Sequence, residues 1–207
     1  MLAGSVATSS PPICRVYRNV GPATNTPPAR PGIWAYSSPV PGYAALNWNS
    51  GDRETPQRGL SYNLRLGVTP GGSEIIRAAA AADGTLRLPR RGNMEQAVGL
   101  VLHGLGPGLY YWSVQAIDAG LGASAFAEEH VLVVEAPRIQ WFSTTTSGGL
   151  CFEFIGDPAL NYVVMASTNL RGWATVGVAQ AWGPPWFRFC ETNAPAEPVR
   201  FYRLRTP

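Results

Sequence analysis

Apolar and polar residues alternate with a period of two in short runs along most of this chain, the pattern of half-buried β-strands rather than helices. Ala44, Leu46 and Trp48 share one face. Tyr62, Leu64 and Leu66 repeat it after the loop DRETPQRG, and Val98, Leu100 and Leu102 follow. Then come Tyr110, Trp112, Val114 and Ala116, and finally the nearly continuous apolar run HVLVVE. Runs at this spacing predict one antiparallel two-sheet sandwich over residues 31–136. From Pro137 onward, RIQWFS, LCFEF, NYVVMAS, WATVGV, WFRFC and RFYRLR are separated by Gly, Pro, Asn or Asp. They are too many strands for the first sandwich to absorb, and they predict a second small antiparallel β-sandwich at 137–207. Its core is expected to come from a dense aromatic set that includes Trp141, Phe142, Phe152, Phe154, Tyr162, Trp182, Trp186, Phe187 and Phe189. Residues 1–30 hold one strand-like run, ICRVYRNV, followed by GPATNTPPARPG, which reads as an extended Pro-rich tether. The best helix signal is RAAAAADG, where an alanine run ends at Asp-Gly; a single turn or a loop fits it as well as a helix does.

Composition narrows the function more than the fold. The chain has 207 residues with 23 Gly and 19 Pro, and no apolar run approaches the ~20 residues of a membrane-spanning helix, so membrane insertion is not expected. All 16 basic residues are arginine, which removes every mechanism that needs an amine side chain. The net charge is +3 and the arginines are scattered, so nucleic acid is not an expected partner. The opening MLAGSVATSS lacks the basic and apolar regions of a secretory signal, which reads as either a cytosolic protein or a fragment. A monomer, or part of a longer chain, is expected.

LHGLGPGLYYWSVQAIDAG resembles the E-to-F region of a fibronectin type III domain. Leu105, Pro107 and Gly108 lead into Tyr110, Trp112, Val114 and Ala116, and Tyr110 matches the tyrosine-corner position. The resemblance implies that its hydroxyl bonds back to the turn backbone while its ring closes the core. Trp48 matches the family's core tryptophan. The likeness covers roughly residues 30–136 and departs in the middle, where ETPQRGLSYNLRLGVTPGGSE and the stretch to Asn93 are longer and richer in glycine. RVYRNVGPATNTPPARPG, DRETPQRGLSYNLRLGVTPGGSE and YYWSVQAIDAG together are similar to the C-terminal region of secreted bacterial FG-GAP/VCBS repeat proteins. That likeness implies that Val16 to Val20 end an upstream propeller, and that the location is extracellular or at the cell surface. Ser167, Thr168, Asn169, Leu170, Trp173 and Phe201 to Arg205 resemble a small terminal β module of large exported bacterial proteins.

Candidate chemistry is sparse. His103 and His130 lack partners at metal-ligand spacing, and no GxSxG elbow occurs, so no enzyme activity and no cofactor are expected. The glycines of GLGPGL form a turn, because Pro107 interrupts them and a strand follows at once. NWNSGDRETP gathers Asn47, Asn49, Asp52 and Glu54, oxygen donors of the kind calcium prefers; the spacing is not that of an EF-hand, and ordinary turn chemistry explains them better. Cys151 and Cys190 are each out of phase with neighbouring phenylalanines, so they either pair as a disulfide or stay as two buried thiols, with Cys14 left over. Trp182, read as a loop residue before two prolines, and Trp186, sharing a strand face with Arg188, either stack on a sugar or pack into the core. The expected function is a non-catalytic extracellular spacer and interaction module, the C-terminal part of a larger exported adhesion-type protein. The alternatives are a carbohydrate-binding module and a C-terminal sorting or secretion domain. The expected partner is a protein or a glycan at the cell surface.

Overall fold

The computed structural model describes residues 2–4, 13–15, 24–36, 40–192 and 199–206. The Val16 to Val20 run lies outside the described residues. Leu2–Gly4 (β1) and Ile13–Arg15 (β2) form a short antiparallel ribbon, with Cys14 on β2 opposite Ala3. No α-helix occurs among the described residues. The RAAAAADG stretch turns instead of coiling. Gly84 adopts a positive φ, Ala81 N–H donates to the Thr85 carbonyl, and the Asp83 carboxylate accepts from Thr85 N–H.

The first sandwich is built from Gly32–Tyr36 (β3), Ala44–Asn49 (β4), Ser61–Gly67 (β5), Gly99–Leu102 (β6), Gly108–Ile117 (β7) and His130–Val134 (β8). One sheet has the order β3-β4-β6 and the other β5-β7-β8, all antiparallel. This is the immunoglobulin-like arrangement of a fibronectin type III-like domain, in which the third strand, β5, joins the last two and the fourth, β6, returns to the first two. The alternating set Ala44, Leu46, Trp48, Tyr62, Leu64, Leu66, Trp112, Val114 and Ala116 points inward, each at 2% exposure or less. Trp48 is the hub, with its ring 6.1 Å from Tyr62 and 6.4 Å from Trp112. Val98 falls just before β6 and is exposed, so Leu100 and Leu102 alone carry that strand's inner face.

The outer face of β5 and β7 is not left to solvent. The long 68–98 connection packs over that face, so Asn63, Ser113 and Gln115 are fully buried. Their hydrogen bonds are met inside. Asn63 and Gln115 pair at 3.2 Å, Gln115 donates to the Gly84 and Ser124 carbonyls, and Ala79 N–H donates to Asn63. Asn93 serves as a strand substitute at the β5 edge, accepting from Leu64 N–H and donating to the Leu64 carbonyl, both at 2.8 Å. Buried polar groups cost little when satisfied in this way.

The second sandwich comprises Ile139–Thr144 (β9), Leu150–Ile155 (β10), Val163–Ser167 (β11), Ala174–Val178 (β12), Gln180–Gly183 (β13), Trp186–Glu191 (β14) and Phe201–Arg205 (β15). A four-stranded sheet, β13-β14-β10-β9, faces a three-stranded one, β12-β11-β15. Between them Phe152, Phe154, Tyr162, Val164, Phe187 and Phe189 form the core, with Phe154 stacked on Phe187 at 5.5 Å. Four strands over three leave the last one uncovered. Phe142 is on β9, at the sheet edge, and points to the core side opposite Phe152, yet it is 79% exposed because no described strand lies beneath it. The expectation that the whole aromatic set fills the core is corrected on this ground: Trp141, Phe142 and Trp182 remain in solvent.

Candidate functional site

Tyr110 begins the inward run of β7, and its hydroxyl donates to the Gly106 carbonyl at 2.8 Å, four residues back. This bond closes the 103–107 loop against the end of the first core, the geometry of a tyrosine corner. Tyr110→Phe leaves that carbonyl without its donor and is expected to lower stability by about 1–2 kcal/mol. A denaturation midpoint equal to that of the wild type contradicts the assignment.

The pinned loop carries the contact between the two sandwiches. Its neighbours His103 and Gly104 reach Asp157, which is fully buried in the turn between β10 and β11. His103 Nδ1 lies 2.9 Å from Asp157 Oδ1 and 3.1 Å from Oδ2, and Gly104 N–H donates to Oδ2 at 3.2 Å. Because a carboxylate only accepts, the histidine proton resides on Nδ1. Within the second sandwich the same carboxylate takes the Ala159 N–H at 3.0 Å, while Asp157's own N–H donates to the Tyr162 hydroxyl at 2.6 Å. His103 is held from the other side by the edge of Tyr43, 5.3 Å between ring centroids. Glycine suits the place where the loops meet, because Gly42 and Gly104 both have positive φ, a backbone conformation that side chains rarely adopt. Beside this joint lies a cleft of about 720 Å³, lined by residues such as Leu105, Arg138, Leu160 and Leu204.

Burial pushes the Tyr110 phenol above its ordinary 10.0; burial also raises Tyr162, with the Asp157 amide opposing and its carboxylate adding to the rise. The folded state therefore holds these protons more tightly than the unfolded chain. Their stabilisation is complete below about pH 10 and is lost as the pH rises through the higher folded values. The urea midpoint is expected to fall as the pH rises above about 10; a midpoint that rises there contradicts this.

The remaining sequence candidates fall in separate places. Asp52 accepts from Thr55 N–H at 2.6 Å and Glu54 N–H at 3.2 Å. Desolvation raises its pKa, but these bonds outweigh it and hold the carboxyl below 3.8. Glu54 accepts from the Thr26 hydroxyl at 2.7 Å. Their carboxylates thus organise a turn, with Asn47 and Asn49 on β4 beside it, and no three His, Cys, Asp or Glu side chains gather among the described residues. Trp48 and Trp112 lie in the first core, far in the fold from Trp182, Trp186 and Arg188.

Those last three share the outer face of the four-stranded sheet. Trp182, read from sequence as a loop residue, lies on β13, because Pro184 and Pro185 make the turn of a β13–β14 hairpin. Trp182 is 60% exposed and Trp186 is half-buried, so core packing does not describe Trp182. Arg188 places its guanidinium 5.3 Å from the Trp182 ring centroid and its Nε 3.2 Å from Glu153 Oε1. Sequence reasoning missed Glu153 and Trp141, which the strand register sets in the same row. One step along, Cys151 and Cys190 face each other across β10 and β14 as a disulfide, with Cys190 exposed.

No protein-family model matches the chain, and no curated protein matches it. Among solved structures it is similar to a two-domain fibronectin type III segment of chicken tenascin, at 13% identity and a TM-score of 0.29, covering 87% of this chain and 99% of that one. The all-β class, with a fibronectin type III-like first sandwich, stands on the sheet order and cores described above. Among the described residues no helix is long and apolar enough to cross a membrane.

Proposed function

We propose that the chain is a non-catalytic extracellular spacer and interaction module, made of tandem domains at 31–136 and 137–207, and part of a larger exported adhesion-type protein. The observation that carries this reading is the Asp157 joint. A buried carboxylate shared between His103, a backbone N–H of the first sandwich and a turn of the second sets one sandwich against the other, which a flexible linker cannot do. Because Tyr110 pins the same loop, the core of the first sandwich is connected directly to the joint. Likeness of Val16 to Val20 to the propeller-ending strand of FG-GAP/VCBS repeat proteins supports an upstream body, and with it the exported setting. The module then holds that body at a fixed distance from whatever the second sandwich contacts, a protein or a glycan at the cell surface.

The test is rotational tumbling by ¹⁵N relaxation. Wild-type protein is expected to show one correlation time for both sandwiches. His103→Ala, at a half-exposed position, and Asp157→Asn are expected to give two shorter ones with both folds intact. One shared correlation time in both variants, unchanged from wild type, contradicts the joint.

A further inference from the structure

The outer face of the four-stranded sheet carries a row of side chains set by strand register. Trp141 on β9 lies opposite Glu153 on β10, Glu153 opposite Arg188 on β14, and Arg188 opposite Gln180 on β13. Paired residues share a face, so all four project to the same side. Trp182, two positions beyond Gln180, closes the row, with Arg188 against its ring. The two indoles at its ends are 67% and 60% exposed, whereas Trp48 and Trp112 in the first core are at 2% and 0%. Three strand spacings separate β9 from β13, about 14 Å.

We propose that this row is a binding platform for a neutral glycan chain lying across the strands. The inference rests on the reading of the chain as an interaction module and names its partner class. Exposed indole faces suit the C–H faces of pyranose rings. Between them Glu153 accepts hydrogen bonds, Arg188 donates them, and Gln180 does both, the mixture that sugar hydroxyls require. Charge complementarity selects a neutral ligand. One acid and one base cancel in the row, and the 3.2 Å pairing of Glu153 with Arg188 leaves no isolated charge for an anion or a cation to meet. The platform is also preorganised: the Cys151–Cys190 bond staples β10 to β14 beside the ion pair, and the guanidinium holds the Trp182 ring, which reduces the ordering a ligand must impose.

Native affinity electrophoresis of the full chain through gels containing soluble barley β-glucan, xylan or glycogen tests this. Retardation by at least one of them is expected, with the dissociation constant at least tenfold weaker in Trp141→Ala and in Trp182→Ala, and thermal midpoints unchanged. Retardation by none of the three overturns the proposal, as does retardation that both variants retain. Concentration-dependent self-association that both variants abolish, without retardation in any gel, also overturns it and identifies a second copy as the occupant. Release of reducing ends from a bound polysaccharide removes the non-catalytic reading and leaves the platform standing, so the two failures are distinguishable.

Discussion

Trp112→Ala is expected to destabilise the first sandwich by about 3–5 kcal/mol, the range for truncating a fully buried large aromatic. Trp112 is at 0% exposure on β7, the strand that pairs with both β5 and β8, and its ring is within 6.4 Å of Trp48 and 6.1 Å of His130. Its indole N–H has no hydrogen-bond partner among the described residues, so truncation orphans no described polar group and the loss is one of packing. The second core shares no residue with the first. Chemical denaturation followed by NMR should therefore show the signals of β4, β5 and β7 lost early and those of β10 and β14 retained. A loss below about 1 kcal/mol contradicts the assignment of Trp112 to the core centre.

Removing the Cys151–Cys190 bond is expected to act on the other half. The bond closes a sequence separation of 39, and the chain-entropy relation gives about 4 kcal/mol for a loop of that size. A unit of about 70 residues is marginal without a staple. The double variant Cys151→Ser/Cys190→Ser should therefore unfold its second sandwich at markedly lower denaturant while the first keeps its midpoint, and a reducing agent should do the same to the wild type. Coincident transitions for wild type and double variant contradict a stabilising role for the bond.

How much of this was legible in the sequence differs between the halves, for physical reasons. In the first sandwich, period-two alternation placed Ala44, Leu46, Trp48, Tyr62, Leu64, Leu66 and Trp112 inside because each strand buries one face against the facing sheet. The same rule does not place Asn63 and Gln115, which are buried. They alternate like solvent-facing residues, and no local pattern announces that the 68–98 connection folds back over them. In the second sandwich the strands were legible but the destination of the aromatics was not. Trp141 and Phe142 are adjacent, so any strand must send them to opposite faces, and β9 at the uncovered edge leaves both in water. The outer row needed the register as well as the strands, because the pairing of four strands aligns Trp141, Glu153, Arg188 and Gln180, and Trp182, 41 positions from Trp141, joins them at a bulge through Arg188. The joint was beyond reach for the same reason: His103 and Asp157, each an ordinary turn residue by itself, meet across a separation of 54.

On the function proposed above, the two sandwiches form one rigid body through Asp157. Residual dipolar couplings on the intact wild-type chain measure this most directly. A single alignment tensor that fits the amides of β4, β5 and β7 together with those of β10, β11 and β14 is the predicted result. Two tensors of different magnitude, one for each sandwich, would contradict it.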